Sequence, residues 1–559
     1  MRMTLLTACL LITTSMQAQV LYINNSNGTY QAIDTKTAGE VTFNEAEKLI
    51  SIGLDKENSI ISRFCTEKIT NITSASNQGN ELTYNLAPEV AYDATDKENY
   101  YEFIENIPVD SLKDEYGDFI ENYAPSRVVT IKFSENGVTA TNLPKTGVTA
   151  TTNGCHVVIN STVGKICYKV TGTSSNGSLK IYSTKKFQLA LNNANITNPT
   201  GPAINIQSGK TVYLTIIDGT SNTLCDGTTY ATPVTGADGT EEDQKGTLFS
   251  EGQLIVDGYK KGTGTLNIKS LGGHAIASDD YVIIRGGNIN ITDAAKDGIH
   301  TKEKFILGRT EAFSPTLTIK AANNGIDCRE GYVKIDAGNM EITSGSEAIK
   351  VVYEEATPDP AVIADAYING GYIKITTTEE KSSAIKTTGN YSQTDGIIHA
   401  DVKGNGSKII NSDKEVIISG GKITGFSSGA LATDLSSAGG IKSEGNCTIN
   451  GGTIAIECNG TYAKGINCDS NVTINGGDVT VLSTGEITDY NKRGYAITTN
   501  GIVINGGKLV TKSFDNSISA TSVNIDGGTF HAITESQTTG LEDITTQTGG
   551  WLLYRTGNE

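Results

Sequence analysis

The side chains best equipped for chemistry recur at equivalent places in a repeated phrase. His300, Asp327, Lys350 and Lys386 each follow an isoleucine, and His274, Asp297, Asn324, Glu347 and Ser383 stand two residues before Ile276, Ile299, Ile326, Ile349 and Ile385. If these phrases stack, the first set forms an outward row, whereas strict strand alternation turns the second set inward. The second set joins the first only if the chain bends at Gly298 and Gly325. Ala275 and Ala348 occupy the equivalent places, so positive φ is not obligatory there. With that bend, the carboxylates of Asp297, Asp327 and Glu347 converge and Asn324 adds an amide oxygen. Such a set suits calcium, a hard ion that takes about six to eight oxygens. The alternative is a solvated ladder with Asp327 between His300 and Lys350, worth about 0.2–1 kcal/mol per pair.

The same row admits two further chemistries. A lyase acting on uronic acids needs a cation against the substrate carboxylate and a Lys or Arg base beside it; Lys350 and Lys386 are the candidates. Exposed lysines ordinarily serve only solvation, and Arg309 and Arg329 are the nearest arginines. Sugar binding instead uses aromatic faces against pyranose rings. The chain has one Trp but 23 Tyr, and Tyr353, Tyr367 and Tyr372 lie near the acidic phrases. His300, Lys350, Tyr353 and Tyr372 form the candidate carbohydrate-binding set. The long inserts 228–246, 353–366 and 387–406 are the segments able to wall a groove, although tolerated insertions are also common. The five histidines fit no zinc or Ser-His-Asp spacing, and there is no P-loop, Rossmann fingerprint or nucleophile elbow.

What must position these residues is the repeat itself. Ile276, Ile299, Ile326 and Ile349 are spaced 23, 27 and 23 residues apart, and Ile441, Ile466, Ile497 and Ile518 are spaced 25, 31 and 21 apart. A second phrase follows each first one, as in IIRGGNINI (283–291), YINGGYIKI (367–375) and TINGGTIAI (448–456). It reads as strand, tight Gly turn, strand, with period-two alternation; Gly supplies positive φ at the turn. Short strands at this period with almost no helical periodicity predict an all-β parallel β-helix. The solenoid runs over 127–534 in roughly fourteen to sixteen coils, a rod on the order of 65–75 Å at about 4.8 Å per coil. Ile276, Ile299, Ile326, Ile349 and Ile385 run up its interior, with Ser278, Thr301, Cys328, Val351 and Thr387 as small partners. Asn369, Asn450, Asn475 and Asn505 form amide ladders.

Residues 19–126 lack this punctuation. The acidic, aromatic stretch 101–126 reads as a helix or irregular cap, since a solenoid end left bare stacks on others. The tail 535–559 is assigned to the opposite end. The first residues, MRMTLLTACLLITTSMQAQ, put Arg2 before an apolar run and a small residue at Ala18, the pattern of a signal peptide over 1–18. Export to the periplasm, cell surface or medium follows. LTAC resembles a lipoprotein box, but the apolar run before Cys9 is short. Eight cysteines remain after cleavage; export permits disulfides, yet Cys328 and Cys468 fall at inward positions, which suits small buried hydrophobes.

Composition excludes several classes. With 62 Gly, 10 Pro, 19% charged residues and 6% aromatic residues, the chain is neither collagen-like, disordered nor a coiled coil. Its 44 basic and 62 acidic residues leave a net charge of −18. That charge repels nucleic acid and anionic lipid, and an acidic polysaccharide would need a bridging cation. No later segment reaches the ~18 apolar residues of a membrane helix.

The ordered set GPAINIQSGKTVYLTIIDGTSNTLCDG (201–227), GTLFSEGQLIVDGYKKGTGTLNIKSLGGHAIASDD (246–280) and AAKDGIHTKEKF (294–305) resembles a family of secreted bacterial carbohydrate-binding β-helix proteins, once a domain of unknown function. The resemblance covers about 128–535. It implies a right-handed parallel β-helix shaped like the pectate lyases, carrying calcium and binding cellulose-like or acidic plant polysaccharide, without established catalysis. Many members come from Bacteroidetes-type gut bacteria, which the leader suits. It supplies no ligand set. Three readings follow: a monomeric polysaccharide-binding protein assisted by calcium, a calcium-dependent lyase, or a structural, adhesin-like rod.

Overall fold

A computed structural model describes residues 20–46, 48–55, 59–74, 79–97, 120, 123–235, 239–258, 261–309, 315–355, 359–487, 494–535 and 546–555. The leader at 1–18, Cys9 and most of the acidic stretch 101–126 lie outside them. The described chain is all-β, with almost no helix and with long parallel sheets of the solenoid kind. Among the described residues, no helix is long and apolar enough to cross a membrane. The chain divides into two compact units: one takes 93–404 and 410–413, the other the residues up to 92, 405–409 and those from 414 onward.

In the first unit the coils from Ile204 onward contribute three short strands each, whereas in the coil before them the single strand Phe187–Thr197 takes the place of the last two. One coil consists of Ile299–Thr301, Lys304–Leu307 and Thr316–Ala321, and the next of Ile326–Cys328, Tyr332–Ile335 and Asn339–Ser344. Each strand pairs in parallel with its counterpart one coil away. The isoleucine ladder is therefore literal: Ile276, Ile299, Ile326, Ile349 and Ile385 are register partners in sequence. All five are at most 1% exposed. Each such side chain is worth about 1.5–3 kcal/mol by burial. Ser278, Thr301, Cys328, Val351 and Thr387 form the second inward ladder.

Outward positions of the second strands depart from simple alternation. Tyr213, Ile255, Ile283 and Ile306 are buried in one cluster with Tyr123, whose ring stacks on Tyr213 at 5.0 Å; Ile120, Tyr281 and Tyr332 pack against it. Residues 93–97, 120 and 123 thus belong with this unit: Asp96 Oδ2 lies 2.9 Å from His399 Nε2 in a buried pair.

The second unit repeats the plan. Ile441, Ile466, Ile497 and Ile518 are register partners. Its Gly pairs explain themselves residue by residue. The second Gly has positive φ, as at Gly452 (+87°) and Gly477 (+88°). The first leaves no room for a side chain, since a Cβ on Gly476 would stand 2.7 Å from the Asn450 carbonyl oxygen. Beside them Asn505 Nδ2 donates to Asn475 Oδ1 at 2.8 Å, and Asn475 Nδ2 to Asn450 Oδ1 at 2.8 Å.

Residues 20–73 and 546–555 meet at one end of this stack. Trp551–Arg555 pairs in parallel with Thr529–Thr534, and Ile60–Cys65 pairs antiparallel with Trp551–Arg555. The reversal ends the parallel series, and Val20–Asn25, Thr29–Asp34 and Leu49–Asp55 pack over it around Ile23, Ile50, Ile52, Phe64 and Trp551. The edge that a solenoid would offer to another chain is covered. Among the described residues all eight cysteines are free; six are buried. Burial pushes the Cys167 thiol up to about 11, and Cys328, Cys447 and Cys458 higher.

Candidate functional site

Parallel register builds the outward row on the first strands: Ala277, His300, Asp327, Lys350 and Lys386 are successive partners. The bend that brings Asp297 and Asn324 to this row is present, and it depends on size rather than on φ. Gly298 and Gly325 have no positive φ. A Cβ there would stand 2.4 Å from Ile319 Cγ2 and 2.5 Å from Ile342 Cγ2, respectively. Two successive residues, Gly298 and Ile299, thus face the interior, which leaves Asp297 on the same side as His300. Ala275, Ala348 and Ala384 do the same in neighbouring coils, each fully buried.

The result is a buried cluster of the expected height, shifted by one coil toward His274. Asp297 Oδ2 lies 3.0 Å from His274 Nδ1 and 3.4 Å from His300 Nδ1; Asp327 Oδ2 lies 3.0 Å from His300 Nδ1. The two imidazoles stack at 4.4 Å. Asp297 and Asp327 are 4% and 2% exposed. Burial opposes ionisation of Asp297, yet His274 and His300 hold its carboxyl well below the usual carboxylate range. Burial likewise works against the His300 cation, but the carboxylates of Asp297 and Asp327 outweigh it and raise the imidazole to about 9. Burial lowers His274. Arg329 Nη1 stands 3.6 Å from Asp327 Oδ2.

This arrangement corrects the expected oxygen shell of Asp297, Asp327, Glu347 and Asn324. Asp297 Oδ1 accepts hydrogen bonds from the backbone N–H and from Nδ2 of Asn324, both at 3.0 Å. Asn324 therefore turns a donor toward the carboxylate rather than an oxygen toward an ion. Glu347 faces Lys386, with Nζ 3.8 Å from Oε1. Two imidazoles stand where oxygens were expected, so these four residues do not assemble the shell that calcium takes.

Beside the cluster lies a groove of about 330 Å³ lined by His300, Lys350 and Tyr353. Lys245, Lys302 and Arg329 supply further cations, while Asp279, Glu330, Glu354 and Glu355 supply carboxylates. Three of the four expected sugar-binding residues thus share one site. Tyr372 does not: it stands on a third strand, in register with Asn339 and Ile397, with its ring 5.4 Å from His399. The first two inserts reach the groove, through Lys245 and through Tyr353 to Glu355. The 228–246 segment is held down by Glu242, which accepts from Tyr182 Oη at 2.5 Å and pairs with Lys180 at 2.7 Å. The third expected insert, 387–406, is no loop; Tyr391–Gln393 and Ile397–Val402 are strands of an ordinary coil. Sequence reasoning assigned neither Lys245 nor Lys302 to the groove, named Arg329 only as a nearby arginine, and left His274 out of the metal set. His274 carried a signal, since it stands two residues before Ile276 as Asp297 does before Ile299.

A second groove, about 600 Å³, opens over the second strands between Tyr123, Gln188 and Thr215, with the buried Asp257–Arg309 ion pair at its wall.

Comparison with known proteins bears on these grooves. No curated protein matches the chain. Among solved structures, a polysaccharide lyase-like protein from C. thermocellum, in a gadolinium derivative, aligns at 23% identity over 55% of this chain and 98% of that one, with a TM-score of 0.33. A family model for carbohydrate-binding domain-containing proteins matches residues 153–490, which include the groove over His300 and the His–Asp cluster. That match covers more than half of the sequence, and the chain belongs to the carbohydrate-binding domain-containing family.

Proposed function

We propose that this chain is an exported protein that holds polysaccharide along the outer face of a right-handed parallel β-helix. The sugar would lie in the groove over His300, Lys350 and Tyr353. The observation that carries the reading is their convergence in one groove of about 330 Å³ from two different coils and an insert. Membership of a carbohydrate-binding family supports it. The site has the parts such recognition needs: an aromatic ring for an apolar sugar face, and charged side chains of both signs for hydroxyl and carboxylate groups. With a net charge of −18, acidic glycans call for a bridging cation, and calcium is the ion expected.

Pull-down on insoluble cellulose and on polygalacturonate gel, with and without a chelator, tests the reading. Retention on either glycan supports it, and loss of polygalacturonate retention alone in chelator assigns the cation to acidic glycans. No retention on any plant or bacterial glycan under either condition leaves a structural rod. Release of unsaturated uronate from soluble polygalacturonate, lost in Lys350→Ala, would move the protein to the lyases.

A further inference from the structure

We propose that His274, Asp297 and His300 form a binding site for a divalent transition metal of the zinc class, distinct from any calcium that assists glycan binding. One nitrogen from each imidazole and one Asp297 oxygen lie within 4.8 Å of one another. Spacing along the chain hides the set, because its members come from successive coils and meet only through stacking.

Three observations carry the inference. First, the separations fit an ion at the centre. Bonds of about 2.0–2.1 Å in a tetrahedron put ligand atoms about 3.3–3.4 Å apart, and the two nitrogen–oxygen separations here are 3.0 and 3.4 Å. Second, the hydrogen bonding is incomplete. His300 Nδ1 is buried with carboxylate oxygens at 3.0 and 3.4 Å, yet it is aligned with neither for a hydrogen bond. Asp327, 2% exposed, leaves Oδ1 without a hydrogen-bond partner in the same place. A nitrogen pointing between acceptors rather than at one of them is what a shared ion requires. Third, the donors select the metal. Two imidazoles and one carboxylate suit zinc and its neighbours, not a hard ion seeking six or more oxygens.

The outer contacts match such a role. Asn324 holds Asp297 Oδ1 through two N–H donors, which fixes the carboxylate with Oδ2 toward the histidines. The Asp297 backbone N–H donates to His274 Nδ1 at 3.2 Å, a bond that metal binding through this nitrogen replaces. Three protein ligands leave one coordination position free for water or a sugar oxygen, because His300 also lines the glycan groove. The site shares that residue with the proposed sugar groove, but its test reads metal and not glycan, so either can fail alone.

The full chain, free of any histidine tag and stripped with chelator, is titrated with Co²⁺ and followed by visible absorption. The expected result is one Co²⁺ per chain with the intense bands of a tetrahedral nitrogen–oxygen site, displaced by one equivalent of Zn²⁺ and unaffected by a large excess of Ca²⁺. His274→Gln and His300→Gln each lower affinity at least about 100-fold, more than loss of an outer contact does. Zn²⁺ protection of His274 and His300 against diethylpyrocarbonate, mapped by mass spectrometry on the wild-type chain, gives a readout that needs no variant. Absence of the Co²⁺ bands in the folded wild type, their survival in the double His→Gln variant, or equal labelling with and without Zn²⁺ would each overturn the proposal.

Discussion

Replacing Ile326 by Ala removes one step from a ladder whose neighbours cannot move to fill the gap. Ile326 is fully buried, with Ile299 on one side and Ile349 on the other in direct register. Large-to-small changes of this kind cost about 2–5 kcal/mol, and the cost rises with the cavity that remains. Each flanking isoleucine is tied to its own coil by parallel backbone pairing, so collapse is small and about 3–5 kcal/mol is expected. In a solenoid that cost is local, because each coil's stability depends on its nearest neighbours. Hydrogen exchange read by mass spectrometry is the suitable assay: amides of 297–321 and 347–377 should exchange roughly 100-fold faster or more, at about 1.4 kcal/mol per decade, while 157–181 stays unchanged. Ile326→Val should cost only about 0.5–1.5 kcal/mol, and the exposed Lys320→Ala nothing beyond about 0.5 kcal/mol. Unchanged exchange in the two adjacent coils, or equal loosening at 157–181, would refute the stacking argument.

Other expectations follow from single contacts. Gly477→Ala forces a side chain into φ +88° with its Cβ 2.7 Å from the Gly452 carbonyl oxygen, so destabilisation of about 1–3 kcal/mol is expected in urea unfolding. His531 is buried, and burial, with Lys508 nearby, lowers its imidazole to about 4. The unfolded chain, near 6.5, then binds a proton that the folded chain refuses, so its contribution is full above about pH 6.5 and falls as pH drops toward 4. That loss is at most about 3.4 kcal/mol, and His531→Gln should flatten this part of a stability–pH curve. The buried thiols of Cys328, Cys447 and Cys458, raised by burial, should resist alkylation in the native protein and react only on unfolding; rapid native labelling would contradict their placement.

Much of this architecture could be read from residue order alone. The isoleucine phrases gave the ladder and the Gly pairs the turns, because one rule, inward every second residue, repeats with each coil. The site was less legible for two physical reasons. Alternation fails at Gly298, where interior space admits no side chain and two adjacent residues face inward; only the folded chain shows that this brings Asp297 beside His300. Lys245 and Tyr353 enter the groove from inserts that obey no period. Tyr372 misled because nearness in sequence to Tyr353 crosses from one strand ladder to another. Ile60–Cys65 and Trp551–Arg555 pair across most of the chain, with Trp551 Nε1 donating to Ser62 Oγ, a pairing that no local pattern encodes.

Affinity of the purified chain for whichever glycan retains it is the most direct measure, taken for wild type, Lys350→Ala/Tyr353→Ala and the remote Lys320→Ala. The account predicts at least about a tenfold loss for the double variant, the scale of one modest hot-spot residue, and wild-type affinity for Lys320→Ala. Unchanged glycan affinity in a folded Lys350→Ala/Tyr353→Ala protein would contradict the assignment of this groove.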